Sequence, residues 1–234
     1  MNKIIKIFTD TIKQLVTSRE FFVRFVTGVV GFFGLVILYF FCPPVCMTLF
    51  TVCCMFAAGI EFGAFFFPGP WKKENYSAKI KFTICHLVAC LFVPLFLMSD
   101  DVTMRVLLPL LFIMVVGNDT GAYITGKLFG KHKLAPAISP NKTVEGLVGG
   151  CLSTLLVTIL YVGKFTVYLI PLCLIVSVLA TLGDLAESYL KRRAGVKDSG
   201  SILPGHGGLL DRFDSILPVS WFFLVYAPYI LELL

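Results

Sequence analysis

LIPLCLIVSVLATLG, residues 169–183, contains no charged side chain, and six residues later the chain continues as YLKRRAGVKDSGSILPGHGGLLDRFDS, residues 189–215. A helix that crosses a bilayer needs about 20 apolar residues, and the first stretch with its apolar neighbours meets that need. The second stretch gathers basic residues, aspartates and glycines in one connection. The first stretch therefore predicts the fold class, and the second predicts where the chemistry takes place.

The whole chain repeats this contrast between apolar runs and polar connections. It has 234 residues, of which 57% are hydrophobic and 15% are charged, whereas an average soluble domain has about 25% charged residues. The runs are continuously apolar rather than alternating, so we predict an all-α fold, a polytopic transmembrane helical bundle. About seven spans are predicted, at residues 25–42, 44–67, 82–98, 102–118, 144–163, 165–184 and 212–234.

The basic residues predict how this bundle is oriented. Of the 20 Lys and Arg residues, all except Arg105 and Lys164 lie in the N-terminal arm or in connections on the same side of the predicted bundle. The positive-inside rule identifies that side as the cytosol. We therefore expect one integral-membrane catalytic domain over residues 1–234, with a cytosolic amphipathic arm at 1–24. The motif regions 118–150 and 184–214 would lie on the cytosolic face.

Carboxylates are predicted to meet at one depth of this face. A charged side chain inside a membrane helix is costly, so its position along the span matters. Asp184 follows the sixth predicted span, Asp211 and Asp214 stand at the start of the seventh, and Asp119 stands at the end of the fourth. Three separate helices would thus deliver acids to the same boundary.

Spacing along the helices sharpens this prediction. Asp184, Glu187 and Ser188 are separated by three and four residues and would share one helix face, and Asp211 and Asp214 would share a face of the last helix. Crowded carboxylates at a low-dielectric boundary repel one another unless a cation lies between them. Hard oxygen donors favour Mg²⁺. We therefore predict a magnesium site formed by Asp184, Asp211 and Asp214.

The connection between the two acidic sets predicts phosphate binding. It reads GVKDSGSILPGHGG, residues 195–208, and glycines allow backbone N–H groups to approach an anion closely. Lys191, Arg192, Arg193 and Lys197 supply cations for phosphate oxygens. A basic cluster alone is often only a stop-transfer signal. Together with the acids and glycines, it indicates phosphoryl or nucleotidyl transfer to a lipid.

Two motif regions resemble those of a known family. The pattern S-x-L-K-R-x₄-K-D-x-G-x₂-L-P-x-H-G-G-L-x-D-R-F-D, residues 188–214, resembles the signature of the phosphatidate cytidylyltransferases, also called CDP-diacylglycerol synthases. The run NDTGAYITGKLFGKHKLAPAISPNKTVEGLVGG, residues 118–150, is similar to the other well-marked segment of that family. The resemblance implies transfer of CMP from CTP to phosphatidate, which gives CDP-diacylglycerol and pyrophosphate.

The resemblance also implies the setting of this reaction. It implies Mg²⁺ in a two-metal centre, a homodimer in the lipid bilayer, and no nucleic-acid partner. We expect a multi-pass protein of a bacterial inner membrane whose active site faces the cytosol. Metal ions would neutralise the triphosphate of CTP and hold the attacking and leaving oxygens.

The resemblance assigns roles to particular residues. Asp184, Asp211 and Asp214 would be the metal ligands, the same three that depth and spacing select. His206 would fix a turn or donate a hydrogen bond rather than act as a base, because the phosphatidate nucleophile is already an anion. Catalytic roles are expected for Lys142, Lys197, Asp198 and His206, and substrate contacts for Asp119, Ser139, Lys142, Thr143, Glu145, Ser188, Lys191, Arg192, Gly207, Gly208 and Arg212.

Other functions fit parts of the same sequence. A CTP-dependent lipid kinase would attack the γ-phosphorus of CTP and release no pyrophosphate, and a cytidylyltransferase for another lipid phosphate would differ only in its acceptor. An ion-coupled transporter also carries acids within its membrane helices, but near the bilayer midplane and between repeated helices. Here the predicted acids lie at one interface and no internal repeat is visible.

Two further features of the predicted spans leave questions open. Glu61 lies inside the second span, where a carboxylate is costly, so either a pocket or a helix-pairing role is expected. Prolines at positions 94, 109, 171 and 218 lie within predicted spans and would bend them.

Overall fold

A computed structural model describes residues 39–66, 105–193, 198–200 and 207–234, together with isolated positions between 26 and 37 and at 95, 97 and 195. The predicted arm at 1–24, part of the first span at 25–42 and nearly all of the third span at 82–98 lie outside the described residues. The predicted site residues Lys197 and His206 also lie outside them.

The described part of the chain is mostly helical, as predicted. Its one two-stranded antiparallel sheet is a departure from the expected all-α fold. The elements, in chain order, are α1 (Pro44–Phe66), α2 (Leu107–Phe129), β1 (Lys133–Ala135), β2 (Ser139–Thr143), α3 (Val144–Val162), α4 (Leu169–Arg193), α5 (Leu210–Phe213), α6 (Ile216–Val225) and α7 (Ala227–Leu233).

The helices have the lengths and surfaces of a membrane protein. Helices α2, α3 and α4 are long and apolar enough to cross a membrane, and α6 with α7 gives a fourth candidate if the two form one broken span. The outer surface of α3 carries an apolar stripe at four-residue spacing, in which Val148, Leu152 and Leu156 are each more than half exposed. Contiguous exposed apolar surface of this kind suits lipid rather than water.

Helix α2 extends well beyond the predicted end of the fourth span at residue 118. It begins at Leu107 and continues to Phe129, so Asn118 and Asp119 lie in its middle. Asn118 is only 1% exposed, and its Oδ1 accepts a hydrogen bond from the Ser177 hydroxyl of α4. A polar residue does not end a membrane helix when a neighbouring helix satisfies its side chain. The helix therefore continues past these polar residues, and the end of the membrane span at residue 118 stays a prediction.

Helices α2 and α3 pack closely because their facing residues are small. A Cβ atom added at Gly121 would lie 2.3 Å from the Cβ of Ser153, and one added at Gly149 would lie 2.0 Å from Oγ1 of Thr125. Only glycine permits this approach, which is a common way for membrane helices to associate. The close pair fixes where α2 ends and α3 begins, and hence where the intervening hairpin lies.

The hairpin β1–β2 places polar side chains beside the helix ends. Lys133 pairs with Thr143 and Ala135 pairs with Ser139, with an irregularity between the two pairs. Thr143 then caps α3, since its side chain accepts a hydrogen bond of 3.0 Å from the N–H of Gly146. A Thr that precedes an apolar helix is a strong N-cap signal.

The predicted last span at 212–234 is not one straight helix. Helices α6 and α7 are bent by 86° relative to each other. Pro228 lies in the first turn of α7, and a proline lacks the N–H of a continuing helix while its ring clashes with the carbonyl four residues before it. The prediction of a single helix after residue 212 is therefore wrong.

Three of the other prolines expected to bend spans lie instead at the starts of helices, and Pro94 lies outside the described residues. Pro109, Pro171 and Pro218 are each the third residue of α2, α4 and α6 respectively. The first turn of a helix has no intrahelical partner for its N–H groups, so proline fits there without cost. These prolines mark where helices begin rather than where they bend.

Candidate active site

A cavity of about 450 Å³ opens where the hairpin meets α2, α4 and α5. Its lining brings residues 118–150 and 184–214 together, as predicted for the two motif regions. The predicted site residues that line it are Asp119, Ser139, Lys142, Thr143, Asp184, Lys191, Asp198, Asp211, Arg212 and Asp214. Polar residues that the sequence analysis did not select, including Asn141, Thr181 and Ser215, line it as well.

One ion pair joins the two motif regions across this cavity. The Nζ atom of Lys142, on β2, lies 2.6 Å from Oδ2 of Asp184 on α4. The hydroxyl of Ser188 donates a hydrogen bond of 3.2 Å to Oδ1 of Asp184, so these two residues share a helix face, as their spacing predicts. A lysine expected to contact phosphates thus lies against a carboxylate expected to bind metal.

A second basic residue organises the other side of the cavity. The Nζ atom of Lys191 lies 2.5 Å from Oε2 of Glu187 and 2.7 Å from Oδ1 of Asp211. The other oxygen of Asp211 accepts hydrogen bonds from the N–H groups of Ser199 (2.9 Å) and Gly208 (2.8 Å). Burial opposes ionisation, but the ammonium and the two N–H groups together lower the pKa of Asp211 to about 2.

Asp214 has the opposite electrostatic environment. Burial first, and the nearby carboxylate of Asp184 next, raise the pKa of Asp214 to about 6, although the N–H of Ser215 and the ammonium of Lys191 act against this shift. The carboxylate of Asp119 adds to the rise. Asp119, Asp184 and Asp214 therefore form an acidic side of the cavity whose negative charge the protein compensates only in part.

The predicted shared face of Asp211 and Asp214 on the last helix is replaced by a different local structure. Asp211 belongs to the single-turn helix α5, and Asp214 lies between α5 and α6. The Oδ1 atom of Asp214 accepts a hydrogen bond of 2.7 Å from the N–H of Ser215. Side chains that bind a neighbouring backbone N–H compete with helix continuation. Both aspartates nevertheless line the same cavity.

The acidic side of the cavity suits a hard cation. Asp119, Asp184 and Asp214 offer oxygen donors, and burial, followed by the neighbouring carboxylates, raises the pKa of Asp214. Both oxygens of Asp211 already have partners. Among the described residues, no group of three His, Cys, Asp or Glu side chains is drawn together tightly enough to hold a metal ion. The assignment of Asp184, Asp211 and Asp214 as ligands stays a prediction.

Glu145 lies outside the cavity lining and binds the start of the hairpin. Its carboxylate accepts hydrogen bonds from the N–H groups of Lys131 (3.1 Å) and His132 (3.2 Å) and lies 2.6 Å from Nδ1 of His132. These contacts place the segment that leads into β1, and thereby affect where Lys142 reaches. The expected substrate contact of Glu145 stays a prediction.

The two glycines predicted to bind substrate shape the loop around Asp211. Gly207 has a φ of 86°, a left-handed conformation that favours glycine, and a Cβ atom there would lie 2.7 Å from Oδ2 of Asp211. Gly208 donates its N–H to the same oxygen. Neither glycine is part of the described cavity lining, and neither are Ser188 and Arg192.

Glu61 contacts the same loop from a distant helix. It lies in α1, is 5% exposed, and its Oε2 atom accepts hydrogen bonds from the N–H groups of Leu209 (2.7 Å) and Leu210 (3.3 Å). The sequence analysis left the role of Glu61 open, although a carboxylate within an apolar span was the signal that marked it. The partner could not be predicted, because it lies nearly 150 residues later in the chain.

The model of the cytidylyltransferase family matches residues 8–230, which is nearly the whole chain. The chain therefore belongs to the cytidylyltransferase family.

Individual relatives give a narrower similarity. Proteins named phosphatidate cytidylyltransferase from Staphylococcus haemolyticus (strain JCSC1435) and Staphylococcus aureus (strain COL) are 55% identical to it over 111 residues. One from Staphylococcus epidermidis (strain ATCC 35984) is 56% identical over the same length. These alignments cover 45% of this chain and 43% of each relative, so the chain matches less than half the length of those proteins.

Proposed function

We propose that the protein is a phosphatidate cytidylyltransferase, which transfers CMP from CTP to phosphatidate and releases pyrophosphate. The observation that carries this proposal is the cavity in which Lys142, Lys191 and Arg212 lie beside the acidic side formed by Asp119, Asp184 and Asp214. Cations for a triphosphate and oxygen donors for a metal are both needed for nucleotidyl transfer. Membership of the cytidylyltransferase family and the names of the relatives support the same reaction.

The reaction needs little proton transfer. An oxygen of the phosphatidate phosphate forms a bond to the α-phosphorus of CTP, the bond from that phosphorus to the bridging oxygen breaks, and pyrophosphate leaves. The nucleophile is already an anion, so the chain must mainly bind, orient and neutralise charge. Lys142 and Lys191 contact Asp184 and Asp211. Phosphate oxygens offer these lysines alternative charged acceptors of similar strength.

The acidic side of the cavity would hold Mg²⁺. We propose Asp184 and Asp214 as ligands, with Asp119 and Asp211 as the nearest further carboxylates to complete the predicted two-metal centre. When bound, Mg²⁺ would supply Lewis-acid neutralisation of the phosphate charge. Lys142 and Arg212 would then orient the triphosphate within the same cavity, from the hairpin and from α5 respectively.

The proposed setting is a bacterial inner membrane crossed by about seven spans, with the cavity on the cytosolic face of a homodimer. The strong bias of basic residues to one side supports this orientation. A reporter domain inserted near Lys133 is expected in the cytosol, and one fused after Leu234 outside it. If both reporters lie on the same side, the proposed number of spans is wrong. Chemical cross-linking in membranes tests the homodimer.

A direct assay tests the reaction itself. The purified protein in detergent is given CTP, phosphatidate and Mg²⁺, and pyrophosphate and CDP-lipid are followed together. We expect the two products in equal amounts, and no product from a variant that carries Asp214→Asn. Release of CDP without pyrophosphate would indicate a lipid kinase instead. Turnover only with another lipid phosphate would identify a different acceptor, and cation-driven uptake without turnover would indicate a transporter.

A further inference from the structure

We propose that Glu61 is a positioning residue, whose carboxylate on α1 holds the loop that carries Asp211 and Asp214 into the cavity. Its effect on turnover rests on the proposed function, whereas its effect on the loop can be measured without any activity. Among the described residues, Glu61 contacts Gly200, Gly208 and Leu209 in the connection between α4 and α5, and Leu210 at the start of α5.

The first contact is a cap for helix α5. The N–H groups at the start of a helix have no intrahelical partner, and a side-chain oxygen of the N-cap residue usually accepts them. Leu209 is the N-cap of α5 and has no such oxygen. Glu61 supplies it, since its Oε2 accepts the N–H groups of Leu209 and Leu210 at 2.7 and 3.3 Å. A carboxylate from the distant helix α1 thus caps the helix that carries Asp211.

The second observation is that three consecutive N–H groups of this loop donate to two different carboxylates. The N–H of Gly208 donates to Asp211, and those of Leu209 and Leu210 donate to Glu61. Asp211 is in turn 2.7 Å from the ammonium of Lys191. The loop is therefore held between α1 on one side and α4 on the other. Loss of Glu61 would leave the backbone around Asp211 fastened on one side only.

The third observation is steric and concerns Gly200. A Cβ atom there would lie 2.5 Å from Oε1 of Glu61, and its three nearest atoms would all belong to the Glu61 side chain. The described glycines with positive φ are Gly163, Gly195 and Gly207, so Gly200 has a backbone conformation open to other residues. The carboxylate of Glu61, rather than the backbone, is what requires a glycine at position 200. The two residues form one packed unit.

The test combines hydrogen exchange with kinetics on the full-length protein in detergent. Amide exchange of the segment 207–215 is measured by mass spectrometry for wild type, Glu61→Gln and Glu61→Leu. The matched control is Glu232→Leu, which alters an exposed glutamate of α7. Leucine has no acceptor, so we expect exchange at residues 209 and 210 to be at least about tenfold faster and kcat to fall by about 30-fold. Glutamine keeps one acceptor oxygen, so we expect about threefold faster exchange. The control should match wild type.

A double-mutant cycle separates positioning of the loop from a general loss of stability. Gly200→Ala alone should lower kcat by about tenfold, because its methyl group displaces the Glu61 carboxylate. In a Glu61→Ala background, the same change should cost no more than about twofold, since the clash is gone. A merely stabilising role of Glu61 would instead lower Tm in the Glu61 variants and leave kcat of the folded protein unchanged.

Each outcome decides one question. Unchanged exchange at residues 209 and 210 in both Glu61 variants, or an equal cost of Gly200→Ala in both backgrounds, would overturn the proposal. If Glu61→Leu does not fold, the exchange rate of Glu61→Gln decides in its place. If the wild-type protein makes no CDP-lipid, the proposed function fails, while faster exchange in the Glu61 variants would still support the role of Glu61 in the loop.

Discussion

Asp211 and Asp214 are three residues apart and line one cavity, yet their surroundings differ completely. Asp211 is paired with Lys191 and accepts two backbone N–H groups, and its pKa is about 2. Asp214 is buried near Asp184, and its pKa is raised to about 6. The chain itself neutralises Asp211, which can therefore organise the loop. The charge of Asp214 is compensated only in part, as the proposed Mg²⁺ site would require.

The largest effect is expected from removing the charge of Asp214. Asp214→Asn should lower turnover by 10²-fold or more, because it removes a proposed metal ligand from the acidic side of the cavity. Asp211→Asn should lower turnover by about 10²-fold, because it weakens the contacts of Asp211 with Lys191 and with the N–H groups of the loop. Turnover of both purified variants, compared over a range of Mg²⁺ concentrations, checks this. Near-normal activity of the Asp214 variant would contradict the assignment of roles to the two aspartates.

Removing a lysine of the cavity should have the next largest effect. Lys142→Ala removes a cation 2.6 Å from Asp184 and should lower kcat/KM for CTP by about 30-fold. Lys164 is the matched control, because it follows the other end of α3. It lies about 28 Å of helix away, which is several times the electrostatic screening length of about 8 Å. Lys164→Ala should stay within about threefold of wild type. Equal losses in the two variants would place the active site elsewhere.

Without metal, the charges of Asp211 and Asp214 should affect thermal stability in opposite directions. The lowered pKa of Asp211 means that its charge stabilises the fold above a pH of about 4, and that this stabilisation is lost as the pH falls toward about 2. The raised pKa of Asp214 means that stability falls as the pH rises from about 4 to about 6.

In EDTA at pH 7.5, we therefore expect Asp211→Asn to lower Tm and Asp214→Asn to raise it, each by about 2–4 °C. The gain from Asp214→Asn should disappear at pH 4, where Asp214 is protonated in the folded wild type. Scanning calorimetry or a fluorescence melt measures both variants beside wild type. A fall in Tm for both at pH 7.5 would mean that Asp214 is not left with uncompensated charge.

The smallest effect is expected outside the acidic side of the cavity, at Glu145. Glu145→Gln weakens the contacts to Lys131 and His132 that fasten the hairpin, so kcat/KM for CTP should fall by only about threefold to fivefold. Glu232→Gln, at an exposed position of α7, should have no effect. A loss as large as that of Lys142→Ala would instead support the direct substrate contact that the sequence pattern predicts for Glu145.

Much of the fold could be predicted because bilayer thickness limits helix length. The predicted span at 144–163 corresponds to α3 at Val144–Val162, and the span at 165–184 overlaps α4 at Leu169–Arg193. The end of α2 could not be predicted in this way. Asn118 suggested a helix end by its polarity, but its side chain is satisfied by the hydroxyl of Ser177 on another helix and by the carboxylate of Asp119.

The candidate site, like the fold, could be predicted only in part from the sequence. Predicted depth in the membrane and spacing along the helices selected Asp184, Asp211 and Asp214, and the motif pattern added Lys142. All four residues line the cavity. The opposite environments of Asp211 and Asp214 could not be predicted, because the partners of Asp211 come from α4 and from backbone groups of the loop. Spacing along a helix says which side chains share a face, but not which backbone N–H groups a folded loop turns toward them.

Composition and hydropathy were enough to predict a helical membrane fold, its apolar helices and the two polar regions that meet in the cavity. These follow from composition and periodicity, since burial of apolar groups and the cost of charge in lipid act on every residue alike. Only the tertiary structure decided the bend between α6 and α7, the hairpin that carries Lys142, and the contact of Glu61 with the start of α5. Those features depend on hydrogen bonds and steric fit between residues far apart in the chain, where directions and distances matter more than residue type.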